Sequence, residues 1–171
     1  WIAFHFDKKR RQQWLDVATA LGFEYLTVYP VELDGIVGSS QLMSTGRQRA
    51  WTNIFKRQVD SLGVTFCDYR HTVGYGKNTK VWQQTVILFY SPAINAPQFE
   101  IKPEGWFSKL GEMLGGQDID FAESPEFSKK YVLTGEDEPA IRDFLRPETL
   151  QLLAGLQNLC LEVRPGSLMF W

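Results

Sequence analysis

Three runs rich in β-branched and aromatic residues, 51–59, 64–73 and 81–90, follow one another with only short turn-forming clusters between them. Asp60-Ser61-Leu62-Gly63 makes the first break and Gly74-Tyr75-Gly76-Lys77-Asn78 the second. Gaps this short leave no room for crossover helices, so the strands must run antiparallel as a meander. Within the third run, Thr85-Val86-Ile87-Leu88-Phe89-Tyr90 is apolar at both alternating positions, which predicts a central strand covered on both faces. A second hairpin closes the chain: 159–163, the turn Arg164-Pro165-Gly166-Ser167, then 168–171. The expected class is α+β: an antiparallel sheet, central meander plus C-terminal hairpin, packed with several short helices.

The helices are read from period and punctuation. Residues 9–21 place Trp14, Val17, Ala18 and Leu21 on one helical face, and Gly22 follows as a left-handed stop. Residues 30–47 read as a loop broken by short apolar pieces. Residues 99–102 add a short strand, and 105–114 are helical by period up to Gly115-Gly116. Ser124-Pro125-Glu126 opens a short helix with Ser124 as its cap, and 130–134 is a strand. Asp137 caps a helix from Pro139 that turns Ile141, Phe144 and Leu145 inward. Pro147 begins the last helix, with Leu150, Leu153 and Leu156 on one side.

Composition narrows the function classes. The chain has 171 residues, 44% of them hydrophobic, and six Trp, six Tyr and twelve Phe supply a core without staples. A net charge of −2 and a pI near 5.7 argue against nucleic acid as the main partner, since phosphate binding needs a broad basic footprint. Cys67 and Cys160 lie in apolar strands, as expected of two buried free thiols in a reducing compartment.

The N-terminus suggests a tether. Trp1-Ile2-Ala3-Phe4-His5-Phe6 is followed by Asp7 and then by Lys8, Lys9, Arg10 and Arg11. An aromatic stub ahead of a cation cluster is the pattern of a membrane-helix edge on the cytoplasmic side. Residues 1–7 are expected to be the edge of a truncated single-pass anchor lying upstream of Trp1, and 8–171 one domain facing the cytoplasm. Four cations in a helix's first turn oppose the helix dipole. Contact of Lys8, Lys9, Arg10 and Arg11 with anionic lipid headgroups would account for them.

Blocks along residues 8–171 resemble a group of bacterial proteins with one N-terminal membrane helix, a basic juxtamembrane segment and one α+β domain. They are Phe66-Cys67-Asp68-Tyr69-Arg70 through Gly74-Tyr75-Gly76-Lys77-Asn78 to Gln84-Thr85-Val86, then Lys102-Pro103-Glu104-Gly105-Trp106-Phe107. Asp118-Ile119-Asp120-Phe121 and Pro125-Glu126-Phe127-Ser128-Lys129-Lys130-Tyr131 complete them. The resemblance implies an inner-membrane location and no established activity, and it assigns no catalytic residue.

Motifs of chemistry are incomplete. The phosphate loop G-x-x-x-x-G-K-S/T would need Gly at His71 and a hydroxyl at Asn78, and a strand, not a helix, follows. A hairpin turn is expected there. Asp118, Asp120, Glu123 and Glu126 match no calcium-loop spacing and are read as structural. Cys67 and His71 share a strand face with Asp68 on the other, and four residues along a strand is about 13 Å, too far for a nucleophile–base pair. Asp68-Tyr69-Arg70 is expected to form cross-strand polar pairs, with Lys80 or Gln84 opposite and Asp68 buried. The expected role is a membrane-tethered, non-catalytic binding or scaffold domain with a protein partner, no cofactor and no metal. The alternatives are an enzyme built on scattered carboxylates and Arg/Lys in a groove, and a small-molecule sensor.

Overall fold

The computed structural model describes the backbone of residues 2–105 and 118–171, and the side chains from Lys9 onward within them. The expected helix over 105–114 falls on 106–117 and lies outside the described residues. The chain divides into two compact units, 1–89 and 90–171. Among the described residues there are eight strands in antiparallel arrangement and six α-helices, the mixed α+β class expected.

In the first unit the strand order is β1 (Glu24–Leu26), β2 (Arg47–Val59), β3 (Leu62–Val73), β4 (Lys80–Tyr90). The meander is therefore as expected, with β2 and β3 joined by a tight turn in which Val59 faces Leu62 and Asp60 takes φ +51°. Twice along β2 an extra residue enters the ladder, between Arg47 and Ala50 and between Thr52 and Phe55. Gln48 and Asn53 adopt positive φ at these bulges. Bulges bend a strand and re-aim its side chains.

One face of this sheet carries α1 (Ile2–Ala20). Phe55 and Phe66 face each other across β2 and β3 and stack at 4.7 Å, and Trp14 of α1 packs on Phe66 at 5.0 Å. Ala18 is buried beside them, whereas Val17 and Leu21, expected on the same inward face, are about half exposed. The helix is rotated from the expected face. It also starts at Ile2, so the basic run occupies its middle turns and the first-turn conflict with the dipole does not arise. Residues 2–6 are helical and continuous with the rest of α1. Among the described residues no helix is long and apolar enough to cross a membrane, so, against the expectation, a single-pass inner-membrane anchor is not supported.

The opposite face is covered by residues 31–44, which are not the plain loop expected. A 3-10 turn (Val31–Leu33) leads into α2 (Asp34–Ser39) and α3 (Gln41–Ser44). The Ser40 hydroxyl accepts from the Met43 N–H, and Leu33 and Met43 are buried, so two apolar anchors and one cap order the segment. Trp51 and Tyr69 are cross-strand neighbours beneath it, 5.6 Å apart. β4 differs in part from its expectation: Val86 and Leu88 are buried on one face, while on the other Thr85 and Phe89 are half-buried and Ile87 is 38% exposed.

In the second unit the strand order is β8 (Ser167–Phe170), β7 (Leu161–Arg164), β5 (Phe99–Pro103), β6 (Tyr131–Gly135). Three helices, α4 (Pro125–Lys130), α5 (Glu138–Phe144) and α6 (Pro147–Gly155), supply Phe127, Ile141, Leu145, Leu150 and Leu153 to a core shared with Phe99, Ile101, Leu133, Leu161 and Val163. Burying each such side chain stabilises the unit by roughly 1.5–3 kcal/mol. Asp137 caps α5 by accepting from the Ala140 N–H, as expected, while Ser124 makes no side-chain cap at α4. Phe144 and Leu156, expected inward, remain partly exposed.

Candidate functional site

Of the cations Lys8, Lys9, Arg10 and Arg11, the side chains of the last three are described, and Arg10 and Arg11 turn into the protein. Arg10 lies one helical turn before Trp14, and Asp68 lies two strand residues after Phe66. Both spacings are about 6 Å, so the pair meets beside the Trp14–Phe66 contact. Arg10 Nη2 and Nε donate to the two Asp68 carboxylate oxygens at 2.7 and 3.0 Å, a bidentate grip. Asn53, swung by its bulge, donates to Asp68 at 2.8 Å, and Arg11 donates to the Asn53 carbonyl oxygen at 3.0 Å. Thr85 of β4 joins both Arg10 and Asp68. Burial acts to raise the Asp68 pKa, yet the hydrogen bonds from Arg10, Asn53 and Thr85 outweigh it and hold the carboxyl below its ordinary range. Asp68 is thus 3% exposed, ionised and satisfied; it is buried and paired as expected, but with partners other than Lys80 and Gln84. Lys9 is exposed.

Cys67 and His71 lie on the other face of β3. Burial pushes the Cys67 thiol well above its ordinary value, and the Asp68 charge adds to this. His71 stacks on Tyr69 at 5.4 Å, and burial, then the nearby Arg49 cation, keep it neutral. A thiol held protonated is a poor nucleophile. Cys160 in the second unit is also free and buried, its thiol pushed up to about 12 by burial. The acidic run 118–126 works structurally: Asp118, its carboxyl raised by burial, accepts from the Leu133 N–H at 3.0 Å. Among the described residues no group of three or more His, Cys, Asp or Glu is placed to hold a metal ion.

An open groove of about 360 Å³ lies at the end of the meander, lined by Gly46, Arg47, Thr72, Val73, Gly74 and Tyr75. Two of its six lining residues are glycines. A Cβ on Gly46 would meet the Thr72 carbonyl oxygen at 2.6 Å, and one on Gly74 the Asn78 oxygen at 2.3 Å, and both residues take positive φ. Arg47 donates through Nη1 to the Gly74 carbonyl oxygen, and its guanidinium lies 4.5 Å from the centre of the Tyr75 ring. Tyr75 is 82% exposed. The expected turn at 74–78 is a six-residue connection between neighbouring strands, with a 3-10 turn over Gly76–Asn78. It is not the strand–loop–helix of a phosphate loop.

A second groove, about 240 Å³, lies in the other unit beside Pro103, Lys130, Tyr131, Leu156, Gln157 and Asn158. There Lys130 and Tyr131 donate to the Ala154 and Leu156 carbonyl oxygens at the end of α6, so these polar groups serve the fold.

The Arg47–Tyr75 pair was not singled out from the sequence. Its signal was the charge pattern: residues 35–98 contain seven Lys/Arg and only two Asp. One of those is Asp68, which Arg10 neutralises. Comparison with family models, with curated proteins and with solved structures finds no match to this chain.

Proposed function

We propose that this chain is a binding or scaffold domain that engages a protein partner through the groove end of its first unit. The carrying observation is Arg47, held between the Gly74 carbonyl and the Tyr75 ring in the lining of an open groove. A side chain fixed in place before a partner arrives loses little freedom on binding. An exposed aromatic beside a restrained arginine is also the kind of pair that anchors protein interfaces. The titratable and nucleophilic groups of the meander support the same reading, because Asp68, Cys67 and His71 are engaged or buried within the sheet.

Photocrosslinking in the native cell tests this. A photoreactive phenylalanine analogue placed at Tyr75 should give a discrete adduct with another protein. The same analogue at Leu152, exposed on the second unit, should give none. Equal or absent adducts at the two positions would remove the proposal.

A further inference from the structure

We infer that the groove takes a carboxylate-rich extended segment of a partner polypeptide, with Arg47 as the anchor; this rests on the binding function proposed above. A guanidinium has five N–H donors in a planar fork. In Arg47 one is spent on Gly74, and Tyr75 covers one face of the plane. The other donors have no protein acceptor among the described residues. Arg47 is therefore an oriented fork with capacity for a carboxylate.

The surroundings are positive and uncompensated. Arg49 and Arg70 are exposed on β2 and β3, each two residues along its strand from a lining residue, Arg47 and Thr72, and Arg49 donates to the Gly46 and Met43 carbonyl oxygens. Lys77 follows Gly74 in the connection to β4, and Lys80 is the first residue of β4. None of these five cations has a carboxylate partner among the described residues, whereas Arg10, Lys56, Lys102, Arg142 and Arg164 all do. Asp60 is no counterweight. It turns the opposite end of the β2–β3 pair, roughly 30 Å away at strand rise.

The form of the ligand follows from the same details. The cations are spread over three chain segments, which suits several carboxylates along an extended segment better than one compact anion. One ring face of Tyr75 is already taken by Arg47, which counts against base stacking. Residues 90–171 carry seven Lys/Arg and thirteen Asp/Glu, so a long polyanion such as nucleic acid meets repulsion that a short peptide avoids.

The test is fluorescence anisotropy of a fluorescein-labelled glutamate decapeptide titrated with the whole chain at low salt. A lysine decapeptide and a thymidine decanucleotide are parallel probes. Saturable binding of the glutamate peptide is expected, weakened about tenfold by physiological salt. Arg47→Ala should weaken it about tenfold, and Arg47→Lys nearly as much, because the planar fork is lost. Lys129→Ala on the second unit should change nothing. If Arg47→Ala does not fold, the exposed double change Lys77→Ala with Lys80→Ala should still weaken binding about threefold to tenfold. Unchanged affinity in these variants, tighter binding of the decanucleotide, or a second copy occupying the groove in sedimentation would each overturn the inference. A glutamate peptide that fails while the Tyr75-position crosslink persists would remove the acidic chemistry and leave the binding function standing. Loss of both would remove both.

Discussion

At the scale of single residues, the Asp68 cluster sets the clearest energetic expectations. Arg10→Ala leaves a buried carboxylate with only Asn53 and Thr85 to satisfy it. Because those two donors remain and the Arg10 side chain is itself 44% exposed, the cost should be about 1–3 kcal/mol, below that of breaking a fully buried pair. Asp68→Asn keeps the shape and loses the charge, and should cost about 1–2 kcal/mol. The double variant should cost less than the sum, and a chemical-denaturation cycle measures the coupling. The pH dependence has a definite sign. The Asp68 pKa is lowered in the fold, so its contribution is complete above the unfolded carboxyl value near ~4 and is lost as pH falls through the lower folded value. His71 acts in a higher window. Its folded pKa is also lowered, so the unfolded chain takes up the proton first, and stability should fall as pH drops below about 6.5. Melting curves from pH 7 to 5 should show that slope in the parent and not in His71→Gln. An equal slope in both would assign it to other groups.

At the scale of elements, the connection between β3 and β4 separates two glycines that look alike in the sequence. Both have positive φ, but a Cβ on Gly74 meets the Asn78 oxygen at 2.3 Å and one on Gly76 meets nothing within 4 Å. Gly76→Ala should therefore cost only the left-handed strain, about 1–2 kcal/mol. Gly74→Ala should cost clearly more, and its larger fall in melting temperature is the check. Equal losses would mean the turn relaxes around the added methyl. Elements of this kind were legible because strands announce themselves by alternation and turns by glycine, proline and aspartate; β2, β3, β4 and the closing hairpin lie within a few residues of expectation. Side-chain pairing was legible only in part. That Asp68 had to be buried and paired follows from its place among apolar neighbours. Its partner is 58 residues away on a helix, and two bulges in β2 shift the register by one residue each. Arg10 and Arg11 could have been found. They precede Trp14 by four and three residues, and so lie on the helix face that Trp14 buries. The short helices over 31–44 were missed because each is under two turns, too short for a period to show.

At the scale of the whole molecule, a net charge of −2 conceals an uneven distribution. Residues 1–89 hold eleven Lys/Arg against seven Asp/Glu, and residues 90–171 hold seven against thirteen. The average made nucleic acid an unsuitable partner, but it also hid a basic end whose cations have no carboxylate partner among the described residues. An interaction with a charged surface responds to the local field within about a Debye length, roughly 10 Å at moderate salt, and not to the sum over the chain. The protein should therefore be retained on a sulfonate cation exchanger at pH 7 and low salt despite its negative total. Which basic region does the holding can be separated. Changing Arg47, Arg70, Lys77 and Lys80 to glutamine removes the groove-end field and leaves Lys8 and Lys9 in place; this variant should pass through unretained. Changing Lys8 and Lys9 to glutamine should leave retention nearly intact, since the groove-end cations, which have no carboxylate partner among the described residues, remain. Circular dichroism of both variants guards against unfolding as the cause. The reverse elution order would place the exposed positive field at the N-terminal helix, and the groove end would lose its claim as the site that attracts an acidic partner.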